Sequence, residues 1–270
     1  MTQTWMITGA GRGLGRALTE AALDAGHAVV ATVRGEHSLI PHERLVVHLL
    51  DVRDPEGAIA AVARAVEAFG GLDVLVNNAG YGLIGAAEEV SEEDARGILD
   101  TDLLGPLRLS RAALPVMRAA GSGHIVQIST VGAVGTMPTL GLYNAAKWGL
   151  EGFSEAMAAE VRPFGIRVTI VEPGALDTEW AGSGMRFSEP LAAYDDLRTS
   201  LFGSPTVPWP AGFGGEGLAA RAAADAIVAH VASGDDRLRL LVGDDAPGQV
   251  AAALDLRRRD YERDARFPRA

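Results

Sequence analysis

The chain lacks cysteine, and its six histidines are scattered without an HxxxH pair. A disulfide framework and a thiolate zinc site are therefore excluded, and no metal centre is expected. Cationic residues are in deficit, with 24 Lys and Arg against 35 Asp and Glu, so the net charge is -11. Because such a surface repels phosphate backbones and anionic lipid headgroups, neither nucleic acid nor a membrane is an expected partner.

Long hydrophobic runs are also missing, since none approaches the ~20 residues that a membrane-spanning helix needs. The N-terminus shows no cationic leader followed by a cleavage site, and we therefore expect a cytoplasmic protein. The 270 residues contain no internal repeat, and 48% of them are hydrophobic. This length and composition predict a single α/β domain over residues 1–270.

Short apolar runs alternate with longer amphipathic segments, as expected for parallel strands joined by crossover helices. Strands are predicted at residues 5–8, 28–33, 45–50, 74–77, 124–129, 167–172 and 238–242. Helices are predicted at residues 14–25, 55–69, 91–101, 103–120, 143–162 and 218–232. This order predicts a doubly wound, three-layer α/β sandwich around a mostly parallel, seven-stranded sheet.

Residues 180–217 interrupt this pattern, because Gly, Pro and Ser alternate there with aromatic side chains. The aromatic residues are Trp180, Phe187, Tyr194, Phe202, Trp209 and Phe213. Irregular segments of this length in a compact domain are usually functional or disordered. The aromatic content favours a lid over an apolar substrate, and a mobile connector is the alternative.

A glycine-rich turn follows the first predicted strand and leads directly into a helix. In this context, glycines allow a pyrophosphate to approach the backbone closely, and the helix N-terminus offers unpaired N–H donors. The predicted dinucleotide-binding residues of the turn are Thr8, Gly9, Gly11, Arg12, Gly13, Leu14 and Gly15. The alternative is a glycine-rich turn that binds no ligand.

The second predicted strand ends at Arg34, where NAD-binding proteins of this type carry a carboxylate for the ribose 2′-hydroxyl. Arg34 and Arg12 instead offer two guanidinium groups that suit a 2′-phosphate, so NADP(H) is the predicted cofactor. Glu36 could restore a preference for NAD(H). Alternatively, both arginines are solvated surface residues.

Tyr143 and Lys147 are four residues apart in a predicted helix, which places a phenol and an ammonium group on one face. A neighbouring cation favours the phenolate, so we expect Lys147 to lower the pKa of Tyr143. The phenol could then exchange a proton with a substrate oxygen. A Tyr-x3-Lys spacing is common on ordinary helices, so its significance depends on the motifs around it.

Those motifs together resemble the short-chain dehydrogenase/reductase family, whose members are Rossmann-type, NAD(P)-dependent oxidoreductases. The resemblance covers nearly the whole chain and rests on the turn at 8–15, Asp51-Val52, the stretch from Asn77 to Gly80, the Tyr143–Lys147 pair, Pro173-Gly174 and Thr178. It implies that Asp51 and Val52 border the adenine and that Asn78, Ala79 and Gly80 line the cofactor cleft. It also implies that Thr178, after Pro173 and Gly174, meets the nicotinamide amide, and that Tyr143 and Lys147 contact the cofactor.

The sequence departs from the family pattern at two catalytic positions. The family's serine falls on Thr130, which keeps a hydroxyl for the substrate oxygen. The adjacent Ser129 takes this role if the register differs. The family's helix asparagine, which holds a water linked to the lysine, is replaced by Asp102. A carboxylate there would offset part of the effect of Lys147 on Tyr143 and alter the proton relay.

These observations predict an NADP(H)-dependent oxidoreductase that transfers hydride between the nicotinamide and a carbonyl or alcohol substrate. Tyr143 is the expected general acid and base, assisted by Lys147 and Thr130, with Asp102 at the relay position. A cofactor-binding regulatory or scaffold protein with impaired catalysis is the alternative, and epimerisation or dehydration through transient oxidation is a third. The helices at 103–120 and 143–162 carry many small and apolar residues, and similar proteins use them to form homodimers or homotetramers.

Overall fold

The computed structural model describes residues 2–178, 184–207 and 217–268. Seven parallel strands form the main sheet, in the order β11-β7-β6-β4-β1-β2-β3. They are β1 (Thr4–Thr8), β2 (Ala28–Val33), β3 (Leu45–Leu49), β4 (Val74–Asn77), β6 (Gly123–Ile128), β7 (Ile166–Pro173) and β11 (Arg239–Val242). The prediction of seven strands is confirmed, with bounds that differ by at most one residue.

Alternating side chains of the strands build two separate apolar cores. Trp5 and Ile7 face one core, which is closed by helix α1 (Gly13–Asp24) and helix α7 (Ala220–Ser233). Met6 faces the other core. Helices α2 (Pro55–Phe69), α4 (Gly105–Ala120) and α5 (Gly141–Val161) cover that side of the sheet. The fold is the predicted three-layer α/β sandwich.

Local sequence signals place the starts of two predicted helices, α2 and α3 (Glu92–Leu99), correctly. The side chain of Asp54 accepts a hydrogen bond from the Glu56 N–H, and Pro55 occupies the first turn of α2. Ser91 caps helix α3 by accepting from the Asp94 N–H at 3.1 Å. These caps satisfy N–H groups that have no partner inside the helix.

The two helices predicted at 91–101 and 103–120 form one continuous element in the structure. A π-helical turn at Asp100–Leu104 joins α3 to α4, and the Gly105 N–H donates to the Asp100 carbonyl. Such turns widen a helix locally and are frequent at functional sites. The turn carries Asp102 into the molecule, where it is fully buried.

Several elements were not predicted from the sequence. Helix α6 (Asp195–Phe202) and strand β9 (Met185–Phe187) lie within the segment that was expected to be irregular. Strand β9 pairs with β5 (Gly82–Ile84), and β8 (Leu176–Asp177) pairs with β10 (Leu218–Ala219). These elements are too short for periodicity to identify them. The terminal helix α8 (Ala246–Tyr261) is mostly exposed and has only weak amphipathic character.

The strand order places a cleft at the carboxyl ends of the central strands. The chain winds outward from β1 in both directions, toward β2 and toward β4, so the loops after β1 and β4 diverge. Ligands of open α/β sheets bind at such a reversal of strand order. Within the described ranges, no helix is long and apolar enough to cross a membrane, and no group of three potential metal ligands occurs.

Candidate active site

A cleft of about 660 Å³ opens at the carboxyl ends of β1, β4, β6 and β7. This volume lies in the range typical of small-molecule sites. Of the residues that the sequence assigns to the site, these line it: Gly9, Gly11, Arg12, Gly13, Leu14, Gly15, Arg34, Asp51, Val52, Asn78, Ala79, Gly80, Asp102, Thr130, Tyr143, Lys147, Pro173, Gly174 and Thr178. Residues far apart in the sequence therefore converge on one cleft.

The glycine turn forms a cradle that larger residues could not form. Gly9 and Gly13 adopt positive φ angles of 65° and 52°. A Cβ atom on Gly15 would lie 2.3 Å from the Gly9 carbonyl oxygen and 2.5 Å from the Asn78 amide nitrogen. The turn is consequently compact, and the first N–H groups of α1 border the cleft. This geometry fits a dinucleotide pyrophosphate.

Thr8 is the one predicted cofactor residue that does not line the cleft. Its side chain is buried, and its hydroxyl accepts hydrogen bonds from the N–H groups of Asn78 and Ala79, each at 2.9 Å. The Asn78 amide in turn donates to the Thr8 carbonyl at 2.8 Å. The expectation that Thr8 contacts the cofactor is thus corrected, because its hydroxyl instead ties the end of β1 to the end of β4.

The far end of the cleft carries the charges expected near an adenosine. Arg12, Arg34 and Glu36 are exposed there. Asp51 is held by Arg53 through a 2.6 Å ion pair, and this contact lowers the pKa of the Asp51 carboxyl. The sequence assigns Arg12, Arg34 and Asp51 to the cofactor, and in the structure all three line this end of the cleft. Glu36, which the sequence marks as an opposing charge, lies there as well.

The proton-handling residues meet at the opposite end of the cleft. The Tyr143 hydroxyl is hydrogen-bonded to the Thr130 side chain, and Lys147 Nζ lies 5.9 Å from the centroid of the Tyr143 ring. The ammonium donates to the Ile128 carbonyl at 3.0 Å. Ser129 turns the other way, because its hydroxyl donates to Glu151 at 2.6 Å. Both residues line the cleft, but the hydroxyl that interacts with Tyr143 is that of Thr130.

Asp102 lies beneath Lys147 without any exposure to solvent. Its Oδ2 atom is 3.4 Å from Lys147 Nζ, and its Oδ1 atom accepts from the Tyr81 N–H at 3.1 Å. Burial raises the pKa of Asp102 to about 6, and the attraction of Lys147 offsets only part of this rise. The carboxylate at the position of the family's asparagine thus forms a buried ion pair with Lys147.

The pKa of Tyr143 is raised in the structure, contrary to the expectation from the sequence. Burial has the largest effect, and the negative charge of Asp102 adds to it. The hydrogen bond with Thr130 acts in the opposite direction but is weaker. In this structure the Tyr143 phenol therefore holds its proton more tightly than a free tyrosine does.

The segment after β7 forms the remaining wall of the nicotinamide end. Thr178 lies beside the glycine turn, since a Cβ atom on Gly13 would contact the Thr178 Cβ at 3.7 Å. The Ala175 N–H donates to Asp245 Oδ2 at 2.9 Å. A side chain on Gly174 would overlap the same carboxylate. Sequence reasoning did not identify Asp245, because it lies 70 residues away from Ala175.

The sequence also gave no indication of the apolar residues beside the catalytic group. Tyr81, Met137, Leu140 and Met185 line the cleft, and Tyr81 and Leu140 pack against the buried cluster that contains Tyr143. The four residues come from two loops and strand β9, which only the tertiary structure brings together. Of the aromatic residues proposed as a lid, Trp180, Trp209 and Phe213 lie outside the described residues.

The chain is similar to known proteins over nearly its full length. A family model described as short chain dehydrogenase matches residues 3–186. Oxidoreductase BOA17 of Botryotinia fuckeliana (strain B05.10) is 38% identical over 270 residues, which cover 95% of this chain and 94% of that protein. The fold matches the crystal structure of a short-chain dehydrogenase from Streptomyces avermitilis with a TM-score of 0.86, 36% identity and 97% coverage of both chains.

A second solved structure with a related sequence contains a nucleotide. It is a short chain dehydrogenase from Burkholderia cenocepacia J2315 in complex with NADP. The two chains are 27% identical and superpose with a TM-score of 0.75, covering 99% of this chain and 98% of that one.

Proposed function

The chain belongs to the short-chain dehydrogenase family, and on this premise we propose that it uses NADP(H) to interconvert an apolar ketone and its secondary alcohol. Family membership makes it an NAD(P)-dependent oxidoreductase of alcohol and carbonyl groups. The observation that carries the finer proposal is the hydrogen-bonded pair of Tyr143 and Thr130 in the same cleft as the glycine turn.

Tyr143 acts as the general acid in carbonyl reduction. The nicotinamide, when bound, supplies the hydride, and the phenol donates its proton to the substrate oxygen as negative charge develops there. Thr130 offers a second hydroxyl to the same oxygen, which orients the carbonyl. At neutral pH a tyrosine is protonated, which is the form required for proton donation.

Lys147 supplies positive charge next to Tyr143 and is held in place by two groups. The Ile128 carbonyl accepts a hydrogen bond from the Lys147 ammonium, and the Asp102 carboxylate provides a counter-charge with its Oδ2 atom 3.4 Å from Nζ. We assign Lys147 to the cofactor ribose as well as to the phenol, and Asp102 to the proton relay behind it. Burial raises the pKa of Asp102 to about 6, which is close to neutrality.

NADP(H) is favoured over NAD(H) by the charges at the adenosine end. Arg34 directly follows β2 at the position where a carboxylate would repel a 2′-phosphate, and Arg12 lies in the adjacent turn. Glu36 and Asp51 are opposing charges that line the same end of the cleft, and Arg34 attracts the Asp51 carboxylate. The relative from Burkholderia cenocepacia J2315 was solved with NADP, whereas a similar structure from Brucella melitensis contains NADH, so the preference proposed for this chain rests on its own charges.

The direct test is a panel of apolar and charged ketones and alcohols, assayed with NADPH, NADH and their oxidised forms. We expect absorbance changes with NADPH and apolar ketones, and smaller ones with NADH. Tight NADPH binding without turnover on any substrate would contradict the proposal and point to a cofactor-binding regulatory protein. Bound nicotinamide without net consumption would point to epimerisation or dehydration.

The catalytic assignment is tested by Tyr143→Phe. Because this change removes only the hydroxyl, we expect NADPH affinity to be retained and turnover to fall by about 100-fold or more. The control is Tyr261→Phe, which alters an exposed tyrosine on α8. Equal activity of the Tyr143 variant and the wild type would remove Tyr143 as the acid.

A further inference from the structure

The apolar wall beside Tyr143 is assembled around the short strand β5. On one side, β9 pairs with it and brings Met185 to the cleft. On the other side, the Gly85 N–H donates to the Thr139 carbonyl at 2.9 Å, which fixes the loop that carries Met137 and Leu140. Since β9 has only three residues, its pairing alone is a weak attachment for the segment that follows it.

A buried arginine provides a second attachment for this segment. Arg198 lies on α6, and its side chain is only 2% exposed. It donates to Glu89 Oε1 at 2.5 Å, to the Leu191 carbonyl at 2.6 Å and to the Pro205 carbonyl at 2.8 Å. A guanidinium group suits this arrangement, because its planar fork can bond several acceptors in fixed directions.

Glu89 connects the arginine to the loop that follows β5. Its carboxylate also accepts from the Leu191 N–H at 2.8 Å and from the Ala86 N–H at 2.7 Å, and its side chain is 3% exposed. Burial alone would raise the pKa of Glu89, but these N–H groups together with Arg198 outweigh burial and lower it. The carboxylate is therefore ionised and fully bonded at neutral pH.

Such a pair is better suited to fixing geometry than to adding stability. Burying two charges costs desolvation energy, and well-packed apolar residues often stabilise a fold equally well. The two bonds from Glu89 and Arg198 to the backbone of Leu191 instead define where the chain after β9 lies. Asp195 is the other carboxylate bound to Arg198, and its Oδ1 atom lies 2.6 Å from the guanidinium. Because Asp195 is half exposed, this ion pair adds little to the constraint.

We propose that Arg198 and Glu89 are positioning residues for the substrate, because they hold the segment that carries Met185 against β5 and so keep the apolar wall closed beside Tyr143. This inference rests on the proposed ketone reduction. Neither residue lines the cleft, so they act through Met185 and leave the cofactor end unaffected. Loosening of the wall would weaken the binding of an apolar substrate and admit water.

The test compares Arg198→Met with Arg221→Met. Arg221 is a matched control, because it also forms two ion pairs but is half exposed on α7. For Arg198→Met we expect the KM for an apolar ketone to rise at least about tenfold, in line with the effect of a small misplacement at a binding site. The kcat should change less than the KM, the NADPH affinity should be retained, and Arg221→Met should match the wild type.

Hydrogen exchange provides a readout that does not depend on turnover. We expect faster amide exchange in residues 184–203 of Arg198→Met, with unchanged exchange in α1 and β1. Arg198→Lys and Glu89→Gln weaken the same attachment less severely and replace Arg198→Met if that variant does not fold. Both should shift the KM in the same direction as Arg198→Met. An unchanged KM with unchanged exchange, or a parallel loss of NADPH affinity, would overturn the proposal.

The two proposals fail in different ways. If the wild type reduces no ketone in the panel, the proposed function fails, and the exchange experiment still decides whether Arg198 holds the segment. If the wild type reduces apolar ketones and the Arg198 variants keep its KM, only the positioning role fails.

Discussion

At the residue scale, Asp102 is the largest departure from the family pattern and the residue with the clearest electrostatic consequence. It is fully buried, with Lys147 as its counter-charge, and it raises the pKa of Tyr143. A neutral asparagine would remove that effect. The exchange of one side-chain group is thus predicted to change both the stability and the pH dependence of the enzyme.

We expect Asp102→Asn to stabilise the protein at neutral pH. The pKa of Asp102 is about 6 in the folded state against 3.8 for the free side chain. At a pH between these two values, the Asp102 carboxyl therefore keeps its proton in the folded protein but has lost it in the unfolded chain. The free energy of unfolding of the wild type therefore falls as pH rises through this window. Denaturant unfolding should show the variant more stable by up to about 3 kcal/mol at pH 7 and nearly equal to the wild type below pH ~4.

The same variant should shift the pH profile of alcohol oxidation to lower pH. Oxidation requires the phenolate of Tyr143, and removing the charge of Asp102 lowers the pKa of that phenol. Asp100→Asn is the control, because Asp100 lies in the same turn but pairs with Arg108 at 2.6 Å and is partly exposed. Superimposable profiles for the Asp102 variant and the wild type would exclude Asp102 from the proton relay.

Arg34 is the residue on which the cofactor preference is predicted to depend. We expect Arg34→Ala to weaken NADPH binding by about tenfold or more, as loss of a charged hydrogen bond would, and to leave NADH binding unchanged. Fluorescence titration of both nucleotides measures the two affinities. Arg64→Ala removes an exposed arginine from α2 as a control. Equal losses for NADPH and NADH would contradict a 2′-phosphate contact.

At the element scale, the turn between β1 and α1 depends on the absence of a side chain at Gly15. A methyl group there would overlap the Gly9 carbonyl and the Asn78 amide. We expect Gly15→Ala to abolish high-affinity NADPH binding and to lower the free energy of unfolding by about 1–3 kcal/mol, as overpacking does. Calorimetry of binding and of thermal unfolding measures both effects.

A second glycine in a helix start provides the contrast for that experiment. Gly248 lies in the first turn of α8, is exposed, and has nothing within 4 Å of an added Cβ. We expect Gly248→Ala to be neutral or to stabilise the protein by up to about 1 kcal/mol, because alanine favours helix. If both alanine variants behaved alike, the close approach at Gly15 would not be what shapes the cofactor turn.

At the scale of the whole molecule, we expect self-association through α4 and α5. The outer face of α5 exposes small residues, among them Ala145 and Ala156, that allow close helix approach. Light scattering at micromolar concentration should give the mass of a homodimer or homotetramer, and Ala156→Arg should reduce it. Ala251→Arg on α8 is the control. A monomer mass for the wild type would exclude this arrangement.

The sequence by itself determined the layered fold, the glycine turn and the Tyr143–Lys147 pair. These features depend on local spacing, because periodicity reports burial on one or both faces and a separation of four residues fixes proximity on a helix. Arg12, Arg34 and Asp51 line one cleft for a related reason, since each follows the end of a predicted strand.

Only the tertiary structure decided the properties that depend on contacts between distant residues. It selected Thr130 over Ser129 because Glu151, 22 residues further along, binds the Ser129 hydroxyl. It reversed the expected pKa shift of Tyr143, because burial and the charge of Asp102 raise this pKa by more than the hydrogen bond with Thr130 lowers it. It also paired Arg198 with Glu89 across 109 residues. Side-chain environment is set by packing in three dimensions, and linear spacing carries no record of it.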